Sequence, residues 1–207
     1  MEAAVRIVSR SARETFALGR RLGRRLRPGD VVALLGELGA GKTQLARGAC
    51  RGAGVPDAEV ASPSFAIVSS YHGRIPVHHA DLYRVADYDE LYATGFTDLV
   101  GGAGATLVEW ADRVPGALPG ERLEVRLAHD PRRPSVRRVE LRGLGERHAA
   151  LAESLRPRRR AARRPPEPGG RPRRPARAGT RRPSRARAPG GAARGGSRRG
   201  PSPRGRA

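Results

Sequence analysis

Lysine is almost missing from this chain of 207 residues: of its 41 basic side chains, 40 are arginine and one is lysine, Lys42. Cysteine is as scarce. Cys50 stands alone, which excludes an intramolecular disulfide and a cysteine-rich zinc site. No run approaches the ~18–20 consecutive apolar residues of a membrane helix. Residues 1–10 lack the apolar core of a signal peptide. These absences lead to the expectation of a cytoplasmic protein with no membrane contact. No self-similarity recurs at 20–50 residues, so a solenoid is excluded as well.

The last absence is local. From Arg156 to Ala207 there is no Ile, Leu, Val, Met or aromatic residue, while 19 Arg stand against one Glu, with ten Pro and nine Gly. Such a segment cannot offset its chain entropy by burial. The expected organisation is a folded domain over 1–155 and a disordered Arg/Pro/Gly/Ala-rich tail over 156–207. The formal net charge of +21 divides accordingly, +18 in the tail and +3 in the domain. Arg, Pro, Gly and Ala all take GC-rich codons, so a polycationic arm and a shifted reading frame both fit the tail. The coding DNA separates them.

Within the domain, residues 4–8 read as a strand. Ser11 and Glu14 form a capping box that opens a helix with an apolar stripe at Phe16, Leu18, Leu22 and Leu26. Val31–Leu35 is a continuous apolar run, as in a strand buried on both faces. A helix is expected from about Lys42 to Gly52. Two strands, 64–71 and 75–79, flank a His72-Gly73 turn. A short helix over 87–94 ends at Gly95, and 105–108 is a further buried strand. Residues 123–127 and 136–141 alternate as strands of a half-exposed sheet. The fold class expected is α/β: a P-loop NTPase-like, central, mostly parallel sheet flanked by helices, followed by a strand-rich C-terminal part and the basic tail.

Gly36-Glu37-Leu38-Gly39-Ala40-Gly41-Lys42-Thr43 fits G-x-x-x-x-G-K-[ST] in full. Glycines let the backbone wrap closely around phosphates, and the next helix presents its positive N-terminus to them. Lys42 supplies a mobile ammonium to the β- and γ-phosphates, and Thr43 a hydroxyl to Mg²⁺. The expected ATP-binding set is Gly36, Glu37, Leu38, Gly39, Ala40, Gly41, Lys42, Thr43 and Gln44, with Lys42 also catalytic. A buried-type strand before the loop, a helix after it and the only lysine at the required place set it apart from a chance match.

Hydrolysis of a nucleoside triphosphate also needs a carboxylate near Mg²⁺ and a group to orient water. Glu109 and Asp81 each follow an apolar strand, at the edge where open α/β sheets place their ligands. His79 lies two residues before Asp81 and shares its strand face. His72, His129 and His148 show no ligand spacing and read as surface residues.

These segments together resemble the bacterial TsaE family of tRNA threonylcarbamoyladenosine biosynthesis ATPases. Thr15-Phe16-Ala17-Leu18-Gly19 resembles the family's T-x-x-L-G helix, and the 36–43 loop its G-D-L-G-A-G-K-T, with Glu37 for Asp. Ser62-Pro63-Ser64-Phe65 is similar to S-P-T-F, His79-Ala80-Asp81-Leu82-Tyr83-Arg84 to H-x-D-L-Y-R, and Val108-Glu109-Trp110 to [IV]-E-W. Gly145-Glu146-Arg147-His148 resembles a terminal G-x-R-W with His in place of Trp. The resemblance implies an ATPase, weak alone, that supports a TsaB–TsaD threonylcarbamoyl transferase complex and meets tRNA indirectly. It implies Thr43 and Glu109 as Mg²⁺ ligands, Asp81 positioning water or metal, and 62–65 and 79–84 as nucleotide-sensing segments. A small P-loop kinase is the rival enzyme. A nucleic-acid-binding protein acting through the tail, with RNA contact by its arginines, is the rival of another class.

Overall fold

The computed structural model describes residues 4–56, 67–114 and 116–157. The chain order is β1 (Val5–Ser9), α1 (Ala12–Gly23), β2 (Val31–Leu35), α2 (Lys42–Gly52), β3 (Val68–His72), β4 (Pro76–Asp81), α3 (Tyr88–Ala93), α4 (Phe96–Leu99), β5 (Ala105–Glu109), β6 (Arg122–Asp130), β7 (Arg133–Leu144) and α5 (Glu146–Ser154). The 62–65 segment and residues 158–207 of the basic tail lie outside the described residues.

Two helices start in the same way. Ser11 Oγ accepts the Glu14 N–H at 3.2 Å, and Glu14 Oε2 accepts the N–H of Arg10 at 2.7 Å. Asp87 Oδ1 accepts the Glu90 N–H at 2.9 Å, and Glu90 Oε2 that of Ala86 at 2.8 Å. In both, the glutamate reaches the residue before the cap, one position beyond the usual box. α2 differs: its N-cap is Gly41, in the left-handed region (φ 102°), which provides no side-chain cap.

The seven strands form one sheet in the order β1-β7-β6-β2-β5-β4-β3. The expectation of a mostly parallel sheet is corrected here. Only the central strands β6, β2, β5 and β4 run parallel, and the three outer pairings are antiparallel. For two of these pairings the reason is connection length. β3–β4 and β6–β7 are joined by a few residues, and a parallel neighbour needs a crossover of about a dozen or more.

Side chains of the central strands alternate between two apolar layers. Val32 and Leu34 of β2 pack with Leu22 of α1, Leu45 of α2 and Leu151 of α5. Ala33 and Leu35 pack on the other face with Leu91 of α3 and Phe96 of α4. α1 and α2 cross with backbones in contact. A Cβ on Gly19 would lie 2.1 Å from Leu45 O, and one on Gly48 2.2 Å from Phe16 O. Phe16 is accordingly only half-buried, and Leu26 fills the core from the turn beyond α1.

α5 carries another correction. His148, expected at the surface, is buried, with Nε2 3.7 Å from Asp30 Oδ1. Arg147 beside it grips the buried Asp30 through Nη2 at 2.6 Å and Nε at 3.0 Å. This pair fixes α5 to the entry of β2.

Candidate functional site

The C-terminal ends of β2, β4 and β5 meet at one cleft of about 450 Å³, floored by the loop between β2 and α2. Gly36 opens that loop at φ 135°, and a Cβ there would lie 2.2 Å from Leu127 O. Only glycine fits this approach. Lys42 turns back over the loop, donating to Gly36 O at 2.6 Å and Glu37 O at 2.9 Å. Its Nζ also lies 3.6 Å from the centroid of the Trp110 ring. Burial pushes the ammonium below the usual lysine range, against the pull of the carboxylates of Glu109, Asp112 and Asp81.

Across the cleft, Thr43 Oγ1 donates to Glu109 Oε2 at 2.8 Å, and His79 Nε2 lies 2.9 Å from Glu109 Oε1. Among the described residues His79 Nδ1 is buried without a hydrogen-bond partner, so the Glu109 carboxylate is what orients the ring. His79 is fully buried and Glu109 is 2% exposed, so the imidazole fixes the carboxylate against α2. Asp81 pairs in register with Glu109 across the parallel β4–β5 ladder. Its Oδ1 accepts the Tyr83 N–H at 3.1 Å. Both acids thus stand side by side at the edge of the sheet.

Trp110 adopts φ 57°, the left-handed region that bulky residues avoid. Its ring packs 4.9 Å from that of Tyr83. The strained turn swings the indole out of β5 and over Lys42. Cys50 takes no part, since burial pushes its thiol up to about 12.

The structure therefore brings Lys42, Thr43, Asp81 and Glu109 to one cleft, with Leu38, Gly39, Gly41 and Gln44 also on its wall. Gly36, Glu37 and Ala40 contribute backbone behind that wall. Ile67 and Tyr83 line the cleft as well. Ile67 carried no recognisable sequence signal. Tyr83 lay in the 79–84 segment, and its stacking on Trp110 depends on the fold.

The family model described as Threonylcarbamoyl adenosine biosynthesis protein TsaE matches residues 9–139. The chain belongs to the TsaE family. Three relatives named tRNA threonylcarbamoyladenosine biosynthesis protein TsaE show how close the likeness is. The Treponema pallidum protein is 41% identical over 115 residues, covering 56% of this chain and 84% of the relative. That of Bacillus subtilis is 37% identical over 145 residues, covering 69% and 87%. That of Streptomyces coelicolor is 40% identical over 145 residues, covering 67% and 96%. The crystal structure of Bacillus subtilis YdiB superposes with a TM-score of 0.61 at 30% identity, covering 75% of this chain and 95% of that one. The TsaE match contains the whole cleft and stops before α5.

Proposed function

We propose that this chain is a Mg²⁺-dependent protein that binds and hydrolyses ATP in the threonylcarbamoyladenosine modification of tRNA, acting in the cytoplasm in support of a TsaB–TsaD-type transferase complex. The observation that carries this reading is the convergence of Lys42 and Thr43, at the start of a helix whose glycine N-cap has no side chain, with Asp81 and Glu109 at two adjacent parallel strand ends.

The donor set fits the chemistry. The first N–H groups of α2 have no side-chain cap and suit an anion. Lys42 exchanges the carbonyls of Gly36 and Glu37 for phosphate oxygens. A threonine hydroxyl and a carboxylate are hard oxygen donors, the pair a P-loop site offers Mg²⁺. When bound, Mg²⁺ supplies positive charge to the β- and γ-phosphates. Thr43 and Glu109, the latter held by His79, would hold that ion. Asp81, held by the Tyr83 amide, orients the attacking water. Among the described residues after Trp110 the chain forms the β6–β7 hairpin and α5 rather than a series of βα units, which favours an ATPase over a kinase.

Phosphate release from ATP tests the reading, measured alone, with nucleoside monophosphates and with TsaB–TsaD. Slow release that the complex accelerates and acceptors leave unchanged is expected. Fast release indifferent to the complex would contradict it. The charge of +18 over 156–207 favours an added contact with RNA. A chain ending near residue 157 should keep ATP turnover and lose low-salt tRNA retention, and equal retention would remove the tail from that role.

A further inference from the structure

We infer that Arg137, on β7, is a positioning residue that sets the peptide planes of the loop between β2 and α2. The inference rests on the nucleotide reading of the cleft. The guanidinium reaches across from the β6–β7 hairpin and donates through Nε to Ala40 O at 3.0 Å and through Nη2 to Gly39 O at 3.2 Å. Its Nη1 is tied to its own strand, to Pro134 O and to Val136 O at 3.1 Å. Four of its five N–H donors are thus committed, two to the loop and two to the hairpin. Arg137 is not among the residues that line the cleft, so it acts through the loop rather than on a ligand.

The consequence follows from peptide geometry. A trans peptide directs its N–H opposite its C=O. Clamping the carbonyls of Gly39 and Ala40 therefore fixes the directions of the Ala40 and Gly41 N–H groups. The Ala40 N–H turns within the loop to Glu37 O at 3.2 Å. Gly39 and Gly41, on either side of Ala40, both line the cleft. The same hairpin backs the loop at its other end, where Leu127 O leaves no room for a Cβ on Gly36. The loop is thus braced from behind at its start and at its end. Only a planar fork spans two successive carbonyls while held by two others; an ammonium on a flexible stem does not.

The test compares Arg137→Ala, Arg137→Lys and, as a control on the same hairpin, Arg138→Ala, which removes a partner of Asp130 and no loop contact. Amide hydrogen exchange over residues 36–42 is read without nucleotide, and the affinity for ATP with Mg²⁺ is read by titration. Both Arg137 variants should exchange these amides about tenfold faster than the parent and bind ATP about tenfold more weakly, while Arg138→Ala stays at the parental values. The deciding comparison is Arg137→Lys, which keeps the charge and removes the fork. Parental exchange and affinity in that variant would overturn positioning in favour of simple charge. Unchanged exchange in Arg137→Ala, or equal changes in Arg138→Ala, would also overturn it. Were the parent itself unable to bind ATP, the nucleotide reading would fail, and the exchange data would still decide the role of Arg137.

Discussion

The parallel core of the sheet, β2 and β5, and the antiparallel β6–β7 hairpin that flanks it differ in what their side chains are for. β2 and β5 are buried along their whole length, and chemistry appears only where they end, at Glu109 and the loop after Leu35. β6 and β7 alternate, burying Leu123, Val125, Val139 and Leu141 while turning Arg126 and Arg138 outward. A strand covered on both faces has only its ends for function. A strand with one open face can brace a neighbour along its length, as the hairpin braces the loop through Leu127 and Arg137.

This contrast predicts separable failures. The largest is at the end of the parallel core. Lys42→Ala should lower ATP turnover by roughly a hundredfold or more while leaving the unfolding transition near that of the parent. Lys42→Arg should fail as well, because a bulky planar fork replaces a point charge between two carbonyls and an indole. Parental turnover in Lys42→Arg would remove the meaning given to the lone lysine.

Next comes the packing beneath the site. Gly48→Ala places a methyl 2.2 Å from a backbone oxygen of α1, so the helices must separate. A loss of about 3 kcal/mol is expected from the shift in denaturant midpoint at constant slope. A loss below about 0.5 kcal/mol would mean that the crossing yields easily.

The smallest effect belongs to the staple between α5 and β2. Burial holds His148 below the ordinary histidine value, opposed by Asp30 and Glu121 and assisted by Arg147. Below pH 6.5 the unfolded chain therefore takes up a proton that folded His148 refuses. Stability attributable to this group falls as pH drops from there toward its lower folded value. His148→Phe should flatten that part of the stability profile without changing ATP affinity. A profile parallel to the parent's would place the acid sensitivity elsewhere.

The parallel core was the more legible in the sequence. Val31–Leu35 and residues 105–108 are unbroken runs of strand-forming residues, and the 36–43 loop is a local motif whose spacing encodes its geometry. Asp81 and Glu109 could be placed at strand ends, yet their adjacency depends on β4 pairing with β5, a choice no local pattern states. α4 is four residues long, too short to show a period. α5 offers only Leu151, Ala152 and the following Leu155 as an apolar stripe. Arg137 was hidden by composition: where 40 residues are arginine, one of them carries no mark. His148 read as exposed because its cover is Asp30, more than a hundred residues away.

The central claim is that Thr43 and Glu109 complete a Mg²⁺ site for ATP bound at Lys42. Calorimetric titration of ATP into the parent and into Glu109→Gln, each with and without Mg²⁺, tests it most directly. The parent should bind one ATP per chain more tightly with Mg²⁺, and Glu109→Gln should lose that enhancement while still binding metal-free ATP. Absence of ATP binding in the parent, or a Mg²⁺ enhancement that survives in Glu109→Gln, would contradict the account.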